Sequence, residues 1–406
     1  MRRRDVMTLL GGVAVFPLAA HAQQARLIDE PLRQAVEDKT IAGVVAIATD
    51  RKGAFYRGAF GMADIAAARP MTDDALFRIA SMTKAITTTA AMQLVESGRL
   101  GLDDPVEKHL PDFAHLSVFD AFDGATGAYR LRPAKRSVTV RHLMTHTSGF
   151  GYAFTSPILR DFKPRAGEQY PVEPLLFDPG ERWHYGTSTD WLGRLVESLS
   201  GKTLEDDFRQ RIFDPLKMSD TFYNVPPDKQ ARLAAVHRRQ GDGSMVKEPN
   251  QPSPVVSSPI GGGGLTSTAD DYARFLRMLL SGGELDGARI LRPDTIELMS
   301  QNHIGSLGVP ALKTAMPERS DDFTFVADGR DKWGLGFLIT TDHVSGKRSA
   351  GSLSWGGINN TYFWIDRSRG IAGVILMQFL PFADPQALAV YDAFERGVYR
   401  LADAMR

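Results

Sequence analysis

Hydrophobic positions follow two different rhythms along this chain of 406 residues. Near the start, Val44-Val45-Ala46-Ile47-Ala48 and Ala54-Phe55-Tyr56 are apolar runs separated by a turn with Asp50-Arg51-Lys52-Gly53, which predicts a β-hairpin. A short amphipathic helix is expected before it, over about 27–37. Ser81 to Ser97 predicts a helix closed by Gly98, Ser188 to Leu199 one ended by Ser200-Gly201, and Thr268 to Leu280 one ended by Ser281-Gly282-Gly283. Strand signals return late, at 334–341, 361–365 and 371–377, and a last helix is expected over about 384–403.

Strands at both ends with helices between them predict an α+β fold. In it, an antiparallel sheet built from the N- and C-terminal strands is flanked by helices and carries an inserted, mainly helical lobe. The expected units are residues 1–22 as a signal peptide, 23–98 with 260–406 as the α/β lobe, and 99–259 as the helical lobe. Residues 241–259 are polar and Pro-rich and predict a surface loop. No repeat of regular period is present.

The first residues add a cellular context. Arg2-Arg3-Arg4, a mostly apolar stretch from Val6 to Ala20, and Ala20-His21-Ala22 form the pattern of a cleavable signal peptide. The paired arginines loosely fit a twin-arginine signal. The expected location is periplasmic or secreted, without stable membrane insertion after cleavage. Formal net charge is zero, so no basic field favours nucleic acid. The absence of cysteine excludes thiol catalysis, disulfides and thiolate metal sites. Oligomeric state is not legible.

Candidate chemistry begins at Ser81-Met82-Thr83-Lys84. Residues three apart on a helix share a face, so the Lys84 amine lies beside the Ser81 hydroxyl, a weak nucleophile that needs such a neighbour. The helix start adds N–H groups suited to an oxyanion. Roughly one to two S-x-x-K copies arise by chance in such a chain. The second copy, Ser244-Met245-Val246-Lys247, lies between Gly241-Asp242-Gly243 and a Pro-rich stretch with no buried helix to support it, and is read as chance. In Pro179-Gly180-Glu181-Arg182-Trp183-His184-Tyr185-Gly186-Thr187-Ser188, Tyr185 is a candidate general base, because a nearby ammonium favours a phenolate. Taken alone, Tyr185 reads better as a core or rim tyrosine. Ser354-Trp355-Gly356-Gly357-Ile358 offers a backbone able to approach a substrate closely, or simply a tight turn. His142 and His146 are four apart, but no H-E-x-x-H or third ligand accompanies them, so no metal is expected. Gly261 to Gly264 lacks the lysine of a P-loop and reads as a turn before a helix. No G-x-S-x-G elbow occurs.

In this order and spacing, the three elements resemble the serine β-lactamase and penicillin-binding-protein-like superfamily, and within it most closely the family VIII carboxylesterases. The stretches His142 to Gly149 and Gly261 to Thr268 are similar to family signatures and are read as structural. The resemblance implies Ser81 as nucleophile, Lys84 as its partner and Tyr185 as base. It implies an oxyanion hole from the N–H groups of Ser81 and Ile358, beside Trp355, Gly356 and Gly357, and no cofactor. The chain departs from β-lactamases twice: Thr187 replaces the Asn of Y-x-N, and Trp355-Gly356-Gly357 replaces K-T-G. Losing that lysine removes a cation for a substrate carboxylate. The expected function is hydrolysis of short-chain carboxylic esters, small molecules, through an acyl-enzyme on Ser81. The alternatives are a β-lactamase, a D-amino-acid peptidase or amidase, an acyltransferase with the same acyl-enzyme, and a non-catalytic binding protein that keeps the fold.

Overall fold

The computed structural model describes residues 16–249, 255–324 and 329–405. Most of the expected signal peptide therefore lies outside the described residues. Its last residues belong to a helix, α1 (Phe16–Glu37), that begins well before the expected position 27. Among the described residues, no helix is long and apolar enough to cross a membrane.

The centre is an eight-stranded antiparallel sheet. Its strands are β1 (Gly43–Asp50), β2 (Ala54–Asp64), β3 (Arg69–Pro70), β4 (Lys332–Trp333), β5 (Leu338–Ile339), β6 (Leu353–Gly357), β7 (Thr361–Asp366) and β8 (Ile371–Leu376). Their spatial order is β4-β5-β6-β7-β8-β1-β2-β3. The first and last strands of this sheet in chain order thus meet at the β1–β8 ladder, where Val45 faces Leu376 and Ile47 faces Val374. The α+β architecture with strands from both ends in one sheet is the one expected from sequence. β7 and β8 are buried along their whole length, because helices cover both faces of the sheet.

Helix packing explains the layering. α2 (Thr83–Glu96) is buried on nearly every side, so its apolar and small residues show little amphipathic pattern. α4 (Ala269–Leu280) packs against β1 and β8, and α5 (Pro385–Ala404) packs against α1. α3 (Ser188–Ser200), ended by Gly201 in the left-handed conformation, packs against α2. The Thr268 side chain caps α4 by accepting from the Asp271 N–H, and the Asp384 side chain caps α5.

Two stretches differ from expectation. Residues 334–341 do not form one strand: the Gly334 N–H bonds to the Phe337 carbonyl, folding 334–337 into a turn between β4 and β5. The middle of the chain is less helical than its pattern suggests. Ser117–Phe122 pairs with Tyr129–Pro133, and His237–Arg239 with Met245–Lys247. The first hairpin is held by a ring cluster in which Phe119 and Tyr129 each lie 5.0 Å from Phe162.

Candidate active site

The backbone is strained one residue before the candidate nucleophile. Ala80 adopts φ +46°, a conformation that costs a non-glycine residue free energy and recurs at functional sites. A short 3₁₀ turn, Ala80–Met82, then runs directly into α2. Ser81 stands half-buried on this turn, and Lys84 one turn further on is almost wholly buried.

Lys84 Nζ donates to Ser81 Oγ at 3.1 Å, to the Tyr152 hydroxyl at 3.0 Å and to the Gly262 carbonyl at 2.6 Å. An ammonium has three protons, and all three are placed. Burial disfavours this ammonium, but Tyr152, Tyr185 and Asp190 more than offset it, so the Lys84 pKa lies above its ordinary value. Lys84 is therefore a cation in the resting site and not a free base. Burial also raises the Tyr152 pKa, with Lys84 pulling the other way, so Tyr152 is a neutral phenol. The simple expectation that a neighbouring ammonium leaves a depressed phenol fails for Tyr152, because desolvation wins.

Tyr185 arrives from the far side. Lys84 Nζ sits 4.9 Å from the centre of its ring, and the Tyr152 and Tyr185 rings are 5.2 Å apart. The Tyr185 hydroxyl accepts a long bond, 3.4 Å, from Trp355 Nε1. Trp355, whose ring is 4.9 Å from that of Tyr185, is buried on β6. His146 closes the box 5.0 Å from Tyr185. Burial, Lys84 and His184 hold the His146 pKa well below its ordinary value, so it stays neutral.

Backbone proximity assembles these groups. Tyr185 and Tyr152 lie on separate loops that touch at Gly186 and Gly151: a Cβ on Gly186 would stand 2.5 Å from the Gly151 nitrogen. The end of β6 lies against the nucleophile turn, because a Cβ on Gly357 would collide with the Ile79 carbonyl. Thr361 on β7 donates to that same carbonyl at 3.4 Å. Trp355, Gly356 and Gly357 thus end a strand packed beside Ser81, and Ile358 follows directly, half-buried.

The structure therefore brings Ser81, Lys84, Tyr185 and the Trp355–Ile358 segment into one region. It adds Tyr152, which the sequence reading missed, and Gly262, which it read as a structural turn. Tyr152 sits just after the His142–Gly149 stretch, and nothing in its spacing points to Lys84. The second S-x-x-K copy and His142 separate from the site. Ser244 bonds to Asp242, and Lys247 follows on a short strand and pairs with Asp64 at 2.6 Å. His142 accepts from the Thr139 N–H in a helix cap. Among the described residues, no cluster of three His, Cys, Asp or Glu could hold a metal.

Two cavities border the centre. One, of about 320 Å³, is walled by Ala80, Tyr223, Gly264 and Asn359, beside Ser81. The other, of about 400 Å³, is walled by Tyr152, Leu159, Phe162, Tyr170 and Thr187.

The two tyrosines are separable by experiment. Tyr185→Phe is expected to lower kcat by on the order of 10²-fold or more, the usual scale for a lost general base. Tyr152→Phe removes one acceptor from Lys84 and is expected to cost about tenfold. Measured kcat values in the reverse order would assign the base to Tyr152.

Comparison with known proteins identifies the family. The profile of the family described as Beta-lactamase matches residues 28–396. The monacolin J acid methylbutanoyltransferase of Aspergillus terreus is 32% identical over 414 residues, covering 95% of this chain and 98% of that one. The lovastatin esterase of Penicillium rubens is 32% identical over 412 residues, covering 93% and 99%. A variant of the simvastatin synthase of Aspergillus terreus superimposes with a TM-score of 0.81 at 30% identity, covering 97% of this chain and 99% of that one. With the family profile spanning nearly the whole sequence and relatives matching end to end, this chain belongs to the β-lactamase family of serine enzymes.

Proposed function

We propose that this protein cleaves small carboxylic esters through an acyl-enzyme on Ser81. The observation that carries the reading is the Ser81–Lys84 contact in a desolvated site, with two tyrosines around the same ammonium. The Ser81 oxygen attacks the ester carbonyl carbon, and its proton passes to the Tyr185 oxygen, which receives it as a phenolate and becomes a phenol. The Trp355 N–H faces the Tyr185 oxygen at 3.4 Å and Lys84 Nζ lies 4.9 Å from the centre of its ring, so a donor and a cation stand beside the base. The carbonyl oxygen takes up the negative charge, to be met by the N–H groups of Ser81 and Ile358. Collapse breaks the ester bond, the departing alkoxide takes the proton, and the acyl group stays on Ser81. Water then repeats the sequence and releases the acid.

A second reading is acyl transfer, in which an alcohol replaces water. It is favoured by the relatives, which include both a methylbutanoyltransferase and an esterase. β-Lactam hydrolysis is disfavoured, because Trp355 stands where the lactamases keep the lysine that pairs the substrate carboxylate, and burying that carboxylate unpaired is costly. We propose export to the periplasm or out of the cell, a reading supported by Arg2-Arg3-Arg4, the apolar stretch after them and Ala20-His21-Ala22.

One panel tests these readings on a single preparation. Hydrolysis of p-nitrophenyl butyrate is expected to exceed that of a chromogenic cephalosporin by one to two decades in kcat/KM or more, from one lost charge-assisted contact of about 1.5–3 kcal/mol. A higher value for the cephalosporin would overturn the ester reading. Adding a primary alcohol separates the other two: butyrate as the main product supports hydrolysis, and butyryl ester as the main product assigns acyl transfer.

A further inference from the structure

Asp190 takes no part in the chemistry above, yet its placement is unusual. It lies in the first turn of α3, where the helix N-terminus favours a negative charge. Its Oδ1 accepts the Gly262 N–H at 2.6 Å. The Gly262 carbonyl in turn accepts from Lys84 at 2.6 Å. A Cβ on Gly262 would lie 3.0 Å from the Tyr152 hydroxyl and would collide with Asp190 Oδ1. Asp190, Lys84 and Tyr152 therefore converge on one residue that has no side chain. Of the groups that favour the Lys84 ammonium, Tyr152, Tyr185 and Asp190, only Asp190 is an acid. A buried cation without a facing anion is costly.

We propose that Asp190 is the positioning residue of the acylating centre: it orients the Gly262 carbonyl toward Lys84 and supplies the negative charge that faces the Lys84 ammonium. The proposal rests on the reading of Ser81 and Lys84 as the acylating pair. Burial pushes the Asp190 carboxyl up, and Lys84 and the Gly262 N–H pull it back. The other groups in this electrostatic environment are Tyr152 and Tyr185 beside Lys84, neutral His146, and Glu173 and Tyr223, which both feel the Asp190 charge.

The consequence has a definite sign. Ser81 loses its proton only when the Lys84–tyrosine group can accept one, so activity rises with pH as that group deprotonates. A facing carboxylate makes this deprotonation harder. Asp190→Asn keeps an oxygen for the Gly262 N–H and removes the charge. Its ascending limb in the pH profile of kcat/KM is expected to move down by on the order of one pH unit. Asp190→Ala removes the bond as well and is expected to show the same shift with a further fall in kcat of about tenfold and little change in KM.

A thermal double-mutant cycle needs no activity and so stands apart from the functional reading. Asp190→Asn is expected to lower Tm in the wild-type background. In a Lys84→Met background, where the carboxylate has no cation, it is expected to leave Tm unchanged or raise it. An equal loss of Tm in both backgrounds, or an Asp190→Asn limb that coincides with wild type, would overturn the proposal. If the cycle shows coupling while Ser81→Ala retains full activity, the functional reading fails and the Asp190–Lys84 pairing stands.

Discussion

Exchanging Ser81 for alanine is expected to lower kcat/KM for p-nitrophenyl butyrate by on the order of 10⁴-fold or more, the scale seen when a covalent nucleophile is removed. Ser244→Ala is expected to stay within about twofold of wild type, as an exposed substitution away from any site does. The two serines share the S-x-x-K pattern and differ in everything the structure adds. Ser81 follows a strained Ala80, opens a buried helix and accepts from Lys84. Ser244 is exposed in a turn with Asp242, and the strand after it sends Lys247 to Asp64. Ser81→Ala should keep its fold, because the hydroxyl is half-buried and its loss leaves Lys84 short of one acceptor, worth about 1 kcal/mol. Steady-state kinetics with a circular-dichroism melt of each variant decides the matter. An active, folded Ser81→Ala would remove the basis of the functional reading.

Lys84→Met is expected to lower kcat by on the order of 10³-fold. Met matches the length of the lysine stem and removes the charge, so the loss is chemical more than steric. Without the ammonium, the Tyr185 ring has no cation at 4.9 Å and the Tyr152 hydroxyl loses its donor. A phenolate then has no facing positive charge, and proton transfer from Ser81 becomes harder. Lys84→Arg is expected to remain within about tenfold of Lys84→Met, because the planar guanidinium cannot repeat a compact three-way donation. Single-turnover kinetics on the ester would show the defect in acylation. If Lys84→Arg recovered full activity, a fixed positive charge alone would suffice and the three-bond arrangement would be incidental.

The parts of the site that were legible in the sequence are those set by local geometry. Ser81 and Lys84 lie three residues apart on a helical path, and a helix brings them together wherever the chain goes. Tyr185 and Trp355 came from the resemblance, since no spacing rule links residues 170 positions apart. Tyr152 and Asp190 were not legible, because contacts between distant glycines place them. Gly151 meets Gly186, and Gly193 on α3 lies so close to Gly261 that a Cβ on it would stand 2.9 Å from the Gly261 backbone. A glycine in sequence reads as a turn, and the partner it admits is visible only in three dimensions. The fold shows the same division. The positions of β1, α3, α4, β7, β8 and α5 agree with the sequence within a few residues, while β2 runs on to Asp64, eight residues past the expected Tyr56. The 334–341 segment was misread as one strand, since a local turn bond at Gly334 outweighs the β-forming side chains around it.

The central claim is a covalent acyl group on Ser81. It is tested most directly by quenching the enzyme in acid during turnover of p-nitrophenyl butyrate and locating the added mass by peptide mass spectrometry. The account predicts a butyryl group on the peptide containing Ser81, at most one per chain, and its absence from Ser81→Ala. Butyryl on the Ser244 peptide, or an adduct of equal amount in Ser81→Ala, would contradict it.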